Sequence, residues 1–277
     1  MPPGHPGREA RLPANRITAQ PPDRMADQMP PRRIKITLAY DGTEYHGWQV
    51  QPGLPTIQGT LESVIAEIEG APVPVSGSGR TDAGVHALAQ VAAFSIANPI
   101  PLDNLRRAVN RLLPPAIRVL GVEEVAADFN PRHHAVAKTY EYRIFCGEIC
   151  SPFERRFVHH HPYPLAEERM VEAASLFEGE HDFSAFAASD DKDARGGSRV
   201  RRIFSSRLER IPDRLIYRVR GSGFLKHMVR NLVGTLLEVG RGNLGEEGVR
   251  RLLGPGIQTK AGPTSPASGL FLVSVEY

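Results

Sequence analysis

The sequence predicts an α+β fold made of two similar halves, and three observations carry that reading. Strand-like and helix-like patterns alternate along the first half of the chain and then alternate again along the second. Two strand patterns in the second half meet at Pro212-Asp213, which implies antiparallel pairing and argues against a doubly wound parallel sheet. Finally, 277 residues with 41% hydrophobic and 23% charged composition suffice for one large core or two ordinary ones. The likeness between the halves is one of pattern, without a repeat of identical residues.

The elements follow in order. In RRIKITLAYDG, Ile34, Ile36, Leu38 and Tyr40 alternate with polar or small positions, the period of a half-buried strand. TIQGTLESVIAEIEG spaces Ile57, Leu61, Val64, Ile65 and Ile68 as a helix, with Thr56 suited to cap it and Gly70 to stop it. A loop of small residues, GSGRTDAGVH, leads into the strand QVAAFSI. The helix LDNLRRAVNRLLP presents Leu105, Val109 and Leu112 on one side and is cut off by Pro114, and AIRVLGVEEV reads as the next strand. In the second half, KTYEYRIF sets Tyr140, Tyr142 and Ile144 against Thr139, Glu141 and Arg143. A helix is expected around Leu165 to Phe177, followed by the hairpin RIFSSRLERIPDRLIYRVRGSG. The strongest helical pattern is FLKHMVRNLVGTLLEVGRG, with Leu225, Met228, Val229, Leu232, Val233, Leu236 and Leu237 on a wide apolar face and Gly240 past its end. GLFLVSVEY closes the chain as a strand. These patterns divide the chain into residues 1–32, 33–138 and 139–277.

Residues 1–32 are rich in Pro and Arg and lack periodic apolar positions, so they are expected to be disordered, or to precede a true start at Met25 or Met29. The balance of 34 basic to 31 acidic residues, net +3, permits an acidic partner without demanding one. Cys146 and Cys150 are too few for a disulfide framework, and no second pair completes a zinc site; two free thiols in a reducing compartment are expected. No apolar stretch reaches membrane-spanning length and no secretory h-region is present, so a cytoplasmic location is expected.

Candidate chemistry centres on Asp82, a lone acid two residues from Arg80 in the small-residue loop. A neighbouring arginine favours the charged form of an acid, which suits a nucleophile or base and suits a structural ion pair equally well. Arg106, Arg107 and Arg111 lie off the apolar side of their helix, and basic residues recur from Arg195 to Arg210 within and after SDDKDARGGSRVRR. Each region alone reads as a solvated surface; together they favour a nucleic-acid partner. The runs His133-His134 and His159-His160-His161 do not make a metal site, because successive strand residues face opposite ways and no metal-ligand motif accompanies them. Neither GSG triplet belongs to a phosphate loop. Arg230 on the apolar helix needs a partner or a cleft, and Tyr140 reads as core by default. Both gain a role only if the halves meet at Asp82.

The blocks YDGTEYHGWQVQPGLPTIQGTLE, GRTDAGVHALAQVAAF, KTYEYRI, GEHDFSAF, GFLKHMVRNLVG and GLFLVSVEY, in that order from Lys35 to Tyr277, resemble the tRNA pseudouridine synthase A family. The resemblance implies two ferredoxin-like halves whose sheets join around a central cleft, and a homodimer that needs neither cofactor nor metal. It implies isomerisation of uridine to pseudouridine at positions 38, 39 and 40 of the tRNA anticodon stem-loop. Asp82 would be the catalytic aspartate, Arg230 its partner, and Tyr140 the ring stacking on the target uracil. Arg80 would bind RNA and hold the displaced nucleotide's place, with Lys138, Arg106, Arg107 and Arg111 as further RNA contacts. The chain departs from the family where FNPRHH replaces the usual F-H-A-R, where Lys226 follows GFL, and at SPASGL near the end. Two other classes compete with this reading: an RNA-binding protein without catalysis, and a hydrolase that would release free uracil.

Overall fold

The structure is a computed structural model and describes residues 30–188, 197–257 and 259–277. The expectations for residues 1–29 and for the basic loop at 189–196, Arg195 included, lie outside the described residues. Residues 31–277 form one compact unit.

The first half runs β1 (Arg32–Tyr40), α1 (Ile57–Glu69), β2 (Ser76–Gly77), β3 (His86–Ile96), α2 (Leu102–Leu112) and β4 (Ile117–Val125). Strand β1 lies between β4 and β3, antiparallel to both, and the short β2 pairs antiparallel with β3. The second half runs β5 (Ala137–Phe145), β6 (His159–His160), α3 (Glu167–Ser175), β7 (Gly179–Asp182), β8 (Val200–Ile211), β9 (Arg214–Gly221), α4 (Met228–Gly240), α5 (Glu246–Leu252) and β10 (Leu270–Glu276). Here β5 lies between β10 and β9, antiparallel to both, and β8 pairs antiparallel with β9. Both halves therefore repeat one ferredoxin-like arrangement, in which the last strand, the first and the next-to-last sit side by side. The halves join where β10 meets β3 in parallel, Phe271 opposite His86 and Leu272 opposite Ala87, giving the sheet order β4-β1-β3-β10-β5-β9-β8-β7.

Local sequence explains most of this. Ile34, Ile36, Leu38 and Tyr40 of β1 are all buried, as their alternation requires. Thr56 caps α1, its hydroxyl accepting from the Gly59 N–H at 3.3 Å, and Gly70 ends it in the left-handed conformation with φ 80°. In β3, Val91, Ala92, Ala93 and Phe94 are buried in succession, because the strand is central. Cys146 and Cys150 are free thiols.

Four expectations need correction. Leu112 is exposed, and Leu113, just past α2, takes its place in the core. Glu141 is buried although it alternates with Tyr140 and Tyr142; two guanidiniums lie against its carboxylate, Arg143 at 2.7 Å and Arg218 at 2.8 Å. Helix α4 starts at Met228, not at Leu225, because His227 adopts φ 61° and turns the chain there. Gly240 is the last residue of α4 rather than its stop. A Cβ there would lie 2.5 Å from Met170 Sδ, so glycine lets α4 pack closely on α3.

Candidate active site

The loop that carries Asp82 precedes β3 and is fixed from both sides. Ser78 is fully buried: its N–H donates to Val91 O at 2.8 Å and its hydroxyl to Gln90 Oε1 at 2.6 Å. Gln90 Nε2 donates to Gly79 O at 3.1 Å, and Lys138 Nζ reaches across from β5 to Ser78 O at 2.6 Å. Beyond Arg80, the Thr81 hydroxyl bonds the Tyr40 hydroxyl at 2.8 Å, and Thr81 O accepts from Trp48 N at 3.0 Å. Gly47 has φ 85°, and a Cβ there would sit 2.6 Å from Thr81 O, so the turn after β1 presses directly on the loop. The small residues of GSGRTDAGVH are thus a backbone matrix that aims one side chain.

That side chain meets the start of α4. Arg230 Nη1 lies 3.1 Å from Asp82 Oδ2, and Arg230 Nε donates to Ser265 O at 2.7 Å. His227 Nε2 stands 3.5 Å from the same Oδ2. Among the described residues Asp82 Oδ1 has no partner, so one carboxylate oxygen is held and the other is open. The structure brings Asp82, from the first half, together with Arg230 and Tyr140, from the second: Arg230 pairs with Asp82, and Tyr140 lines the same cleft.

Around them opens a cleft of about 660 Å³, a size that suits a flipped nucleotide with its sugar. Tyr140 forms a wall, buried edge-on against Phe224 with ring centroids 5.0 Å apart. Burial, then the nearby Tyr40 and Asp82, push its phenol well above the ordinary tyrosine range, so it is a neutral, flat surface. The lining is cationic: Arg80, Arg132, Lys138 and Lys226 contribute to it, with the imidazole of His227 beside them. Burial, aided by Arg132, pulls Lys138 down to about 8. Arg80 is exposed and makes no hydrogen bond or ion pair among the described residues, so it is open to a ligand and is not the partner of Asp82. Arg106, Arg107 and Arg111 lie on the exposed face of α2 and do not line the cleft; Arg106 approaches Asp103 at 3.6 Å.

Sequence reasoning missed His227, Phe224 and Arg132 at this site. His227 had a signal, three residues before Arg230 in LKHMVR, but only its left-handed backbone turns it toward Asp82. The departure at Lys226 falls on the cleft rim.

A carboxylate with one free oxygen, an aromatic wall and cationic lining residues are the features that a nucleoside within a phosphate chain would fit. Comparison with known sequences takes this further. A family model described as tRNA pseudouridine synthase matches residues 36–133 and 173–277, more than half of the chain, and the protein belongs to that family. It is 68% identical over 246 residues to the tRNA pseudouridine synthase A of Solibacter usitatus (strain Ellin6076), covering 89% of this chain and 100% of that protein. The tRNA pseudouridine synthase A of Myxococcus xanthus is 45% identical over 247 residues, covering 88% of this chain and 92% of that protein. Among solved structures, an H/ACA RNP bound to a substrate RNA containing 2′-deoxyuridine aligns with 74% of this chain and 44% of that one, at 16% identity and TM-score 0.34.

Proposed function

We propose that this protein isomerises uridine to pseudouridine at positions 38, 39 and 40 of the tRNA anticodon stem-loop, with Asp82 as the catalytic aspartate. The observation that carries the reading is the Asp82 carboxylate, pinned through Oδ2 by Arg230 with Oδ1 unpartnered among the described residues, in a cleft that Tyr140 also lines. Family membership and the names of the relatives give the substrate class.

The reaction breaks the bond between ribose C1′ and uracil N1, turns the base, and rejoins it through C5. A stacked uridine presents none of these atoms, so it must be extruded into the cleft, at about a few kcal/mol of unstacking. Oδ1 then faces the sugar, where a carboxylate either attacks C1′ or removes a ribose proton. A second acid has no task, because no leaving group departs to solvent and paired glycosidase carboxylates are not required. Tyr140 supplies the face on which the detached uracil turns, with base stacking worth about 1–3 kcal/mol. Arg80 and Lys138 contact the RNA at the cleft, and Arg106, Arg107 and Arg111 contact the phosphates of the stem from outside it. We take the catalytic set as Asp82, Tyr140 and Arg230, the two halves as residues 33–138 and 139–277, and the enzyme as a cytoplasmic homodimer that needs no cofactor.

The test uses unmodified tRNA transcripts carrying uridine through the 3′ side of the anticodon stem-loop, without added metal or cofactor. Pseudouridine is mapped by carbodiimide labelling and primer extension, with Asp82→Asn in parallel. Product at positions 38–40, abolished in the variant while tRNA still binds, is the expected result. Equal product from the variant overturns the role of Asp82, and absence of product from the wild type overturns the function. Free uracil in place of pseudouridine would favour a hydrolase.

A further inference from the structure

Pseudouridine formation needs a base for the proton on C5, and on the functional reading above no residue yet has that task. We propose that His227 removes the C5 proton of the rejoined uracil. Three geometric observations support this. His227 lines the cleft, and its Nε2 is 3.5 Å from Asp82 Oδ2, so its ring lies within reach of any nucleotide whose C1′ meets Asp82. It is the non-glycine residue with positive φ among the described residues, φ 61°. A left-handed conformation in a residue with a Cβ is strained and persists where the surroundings impose it. Here it turns the ring back over Asp82 just before α4 begins. Apart from the Asp82 contact, the imidazole has no hydrogen-bond partner among the described residues.

Its electrostatics fit a base. The groups acting on it are Asp82 from the opposite half, Arg230 one turn along α4, and Lys226 beside it; burial comes first, and with the two cations it outweighs Asp82 and lowers the His227 pKa. The imidazole is therefore neutral at neutral pH. In the tautomer that carries the proton on Nε2, the nitrogen 3.5 Å from Asp82, the lone pair sits on Nδ1, and the carboxylate that serves the sugar favours this arrangement of the base.

The step balances. After C5 bonds to C1′, that carbon carries both the new bond and its hydrogen, and C6 is doubly bonded to N1. Nδ1 takes the hydrogen as a proton; the C5–H electron pair becomes the C5=C6 bond. The C6=N1 pair moves to N1, which gains a proton from water, and the imidazolium releases its proton to water. No oxidant or other reactant is consumed.

His227→Asn and His227→Gly both tolerate the left-handed backbone, so either variant is expected to fold, which melting and tRNA binding check. Single-turnover rates are measured on tRNA transcripts carrying uridine or [5-²H]uridine. Loss of a general base slows the reaction by about 10²–10⁴-fold. The expected result is such a slowing in both variants with tRNA binding retained, and a primary deuterium isotope effect larger in His227→Asn than in the wild type. In addition, the glycine variant should be rescued by imidazole in proportion to its free-base concentration. A variant as fast as the wild type, or a slow one that shows neither the isotope effect nor rescue, overturns the role of His227 and leaves the functional reading intact. Wild-type protein that forms no pseudouridine overturns the functional reading itself, and the role of His227 with it.

Discussion

Arg230 does two things with one guanidinium: Nη1 holds Asp82 Oδ2 and Nε holds Ser265 O, tying the carboxylate to the segment that follows α5. A lysine keeps the charge but has no planar fork to span both acceptors. Arg230→Lys should lower kcat by about 100-fold, the scale of losing one preorganised electrostatic contact, with little change in KM. Steady-state kinetics on tRNA check this, and a fall confined to KM would show that Arg230 serves binding alone. Lys138 gives a second prediction with opposite signs for stability and function. Burial lowers it to about 8 from 10.5, so between those values the unfolded chain binds more protons than the folded one. Stability therefore carries a penalty below about 8 that is relieved as pH rises toward 10.5. Lys138→Met should raise stability at pH 7 by about 1–3 kcal/mol while weakening tRNA binding. Denaturant unfolding at pH 7 and pH 10 should show the gap between variant and wild type closing with pH; a constant gap would sink the assignment.

At the scale of elements, α4 bears the site. Its buried face of Met228, Val229, Leu232, Val233, Leu236 and Leu237 seats it, and residues at its start bear on Asp82. Gly234 controls how close it comes to the segment behind: a Cβ there would lie 1.7 Å from Pro263 O, a backbone atom that cannot swing away. Gly234→Ala should move α4 away from the 262–265 strap that Arg230 grips. The expected cost is about 1–3 kcal/mol or more of stability, with activity lost in the same variant, readable as a lower Tm beside the tRNA assay. A stable, fully active Gly234→Ala would show that the strap is free to shift. The apolar period of α4 was legible in the sequence, as were the alternation of β1 and the caps of α1, because each rests on neighbours a few residues away. The left-handed turn at His227 was not, since histidine, though enriched among non-glycine residues of positive φ, adopts it too rarely for sequence to place it there. The seven residues of α5 and the two-residue strands β2 and β6 are too short to show a period. Of the site, Asp82 stood out as a lone acid, but its pairing with Arg230, 148 residues away, came from the family resemblance, because spacing along the chain cannot reveal it.

Across the whole molecule, two halves make one site only if the seam between β3 and β10 holds, and a buried and a half-buried imidazole, His86 and His159, stand on and near that seam. His86 stacks on Phe271 with ring centroids 4.8 Å apart; its Nε2 meets Arg156 O at 2.9 Å, and its Nδ1 accepts from Gly42 N at 3.1 Å. Burial lowers its pKa more than the nearby Asp41 raises it. Beside the neighbouring strand β5, burial and then His161 lower His159 from 6.5 to about 4, and its Nδ1 has no hydrogen-bond partner among the described residues. The sign follows from linkage. The unfolded chain protonates these rings as pH falls through 6.5, while the folded chain resists until its own lower values. The contribution of His159 is complete above 6.5 and drains away as pH falls toward about 4, and that of His86 is lost in the same direction. For His159, still partly open to solvent, the loss is about 1–3 kcal/mol, or several degrees of Tm in a chain of this size. The decisive window runs from pH 6.5 down to about 5, above the range in which ordinary carboxylates titrate. Wild-type Tm should fall there, and His159→Phe, which keeps a ring against Tyr142 and cannot be protonated, should fall less steeply. Parallel curves for the two proteins would mean that His159 takes up its proton as readily in the folded chain as in the unfolded one. A flat wild-type curve would mean that the buried histidines do not set the acid limit, leaving the seam to its packing alone.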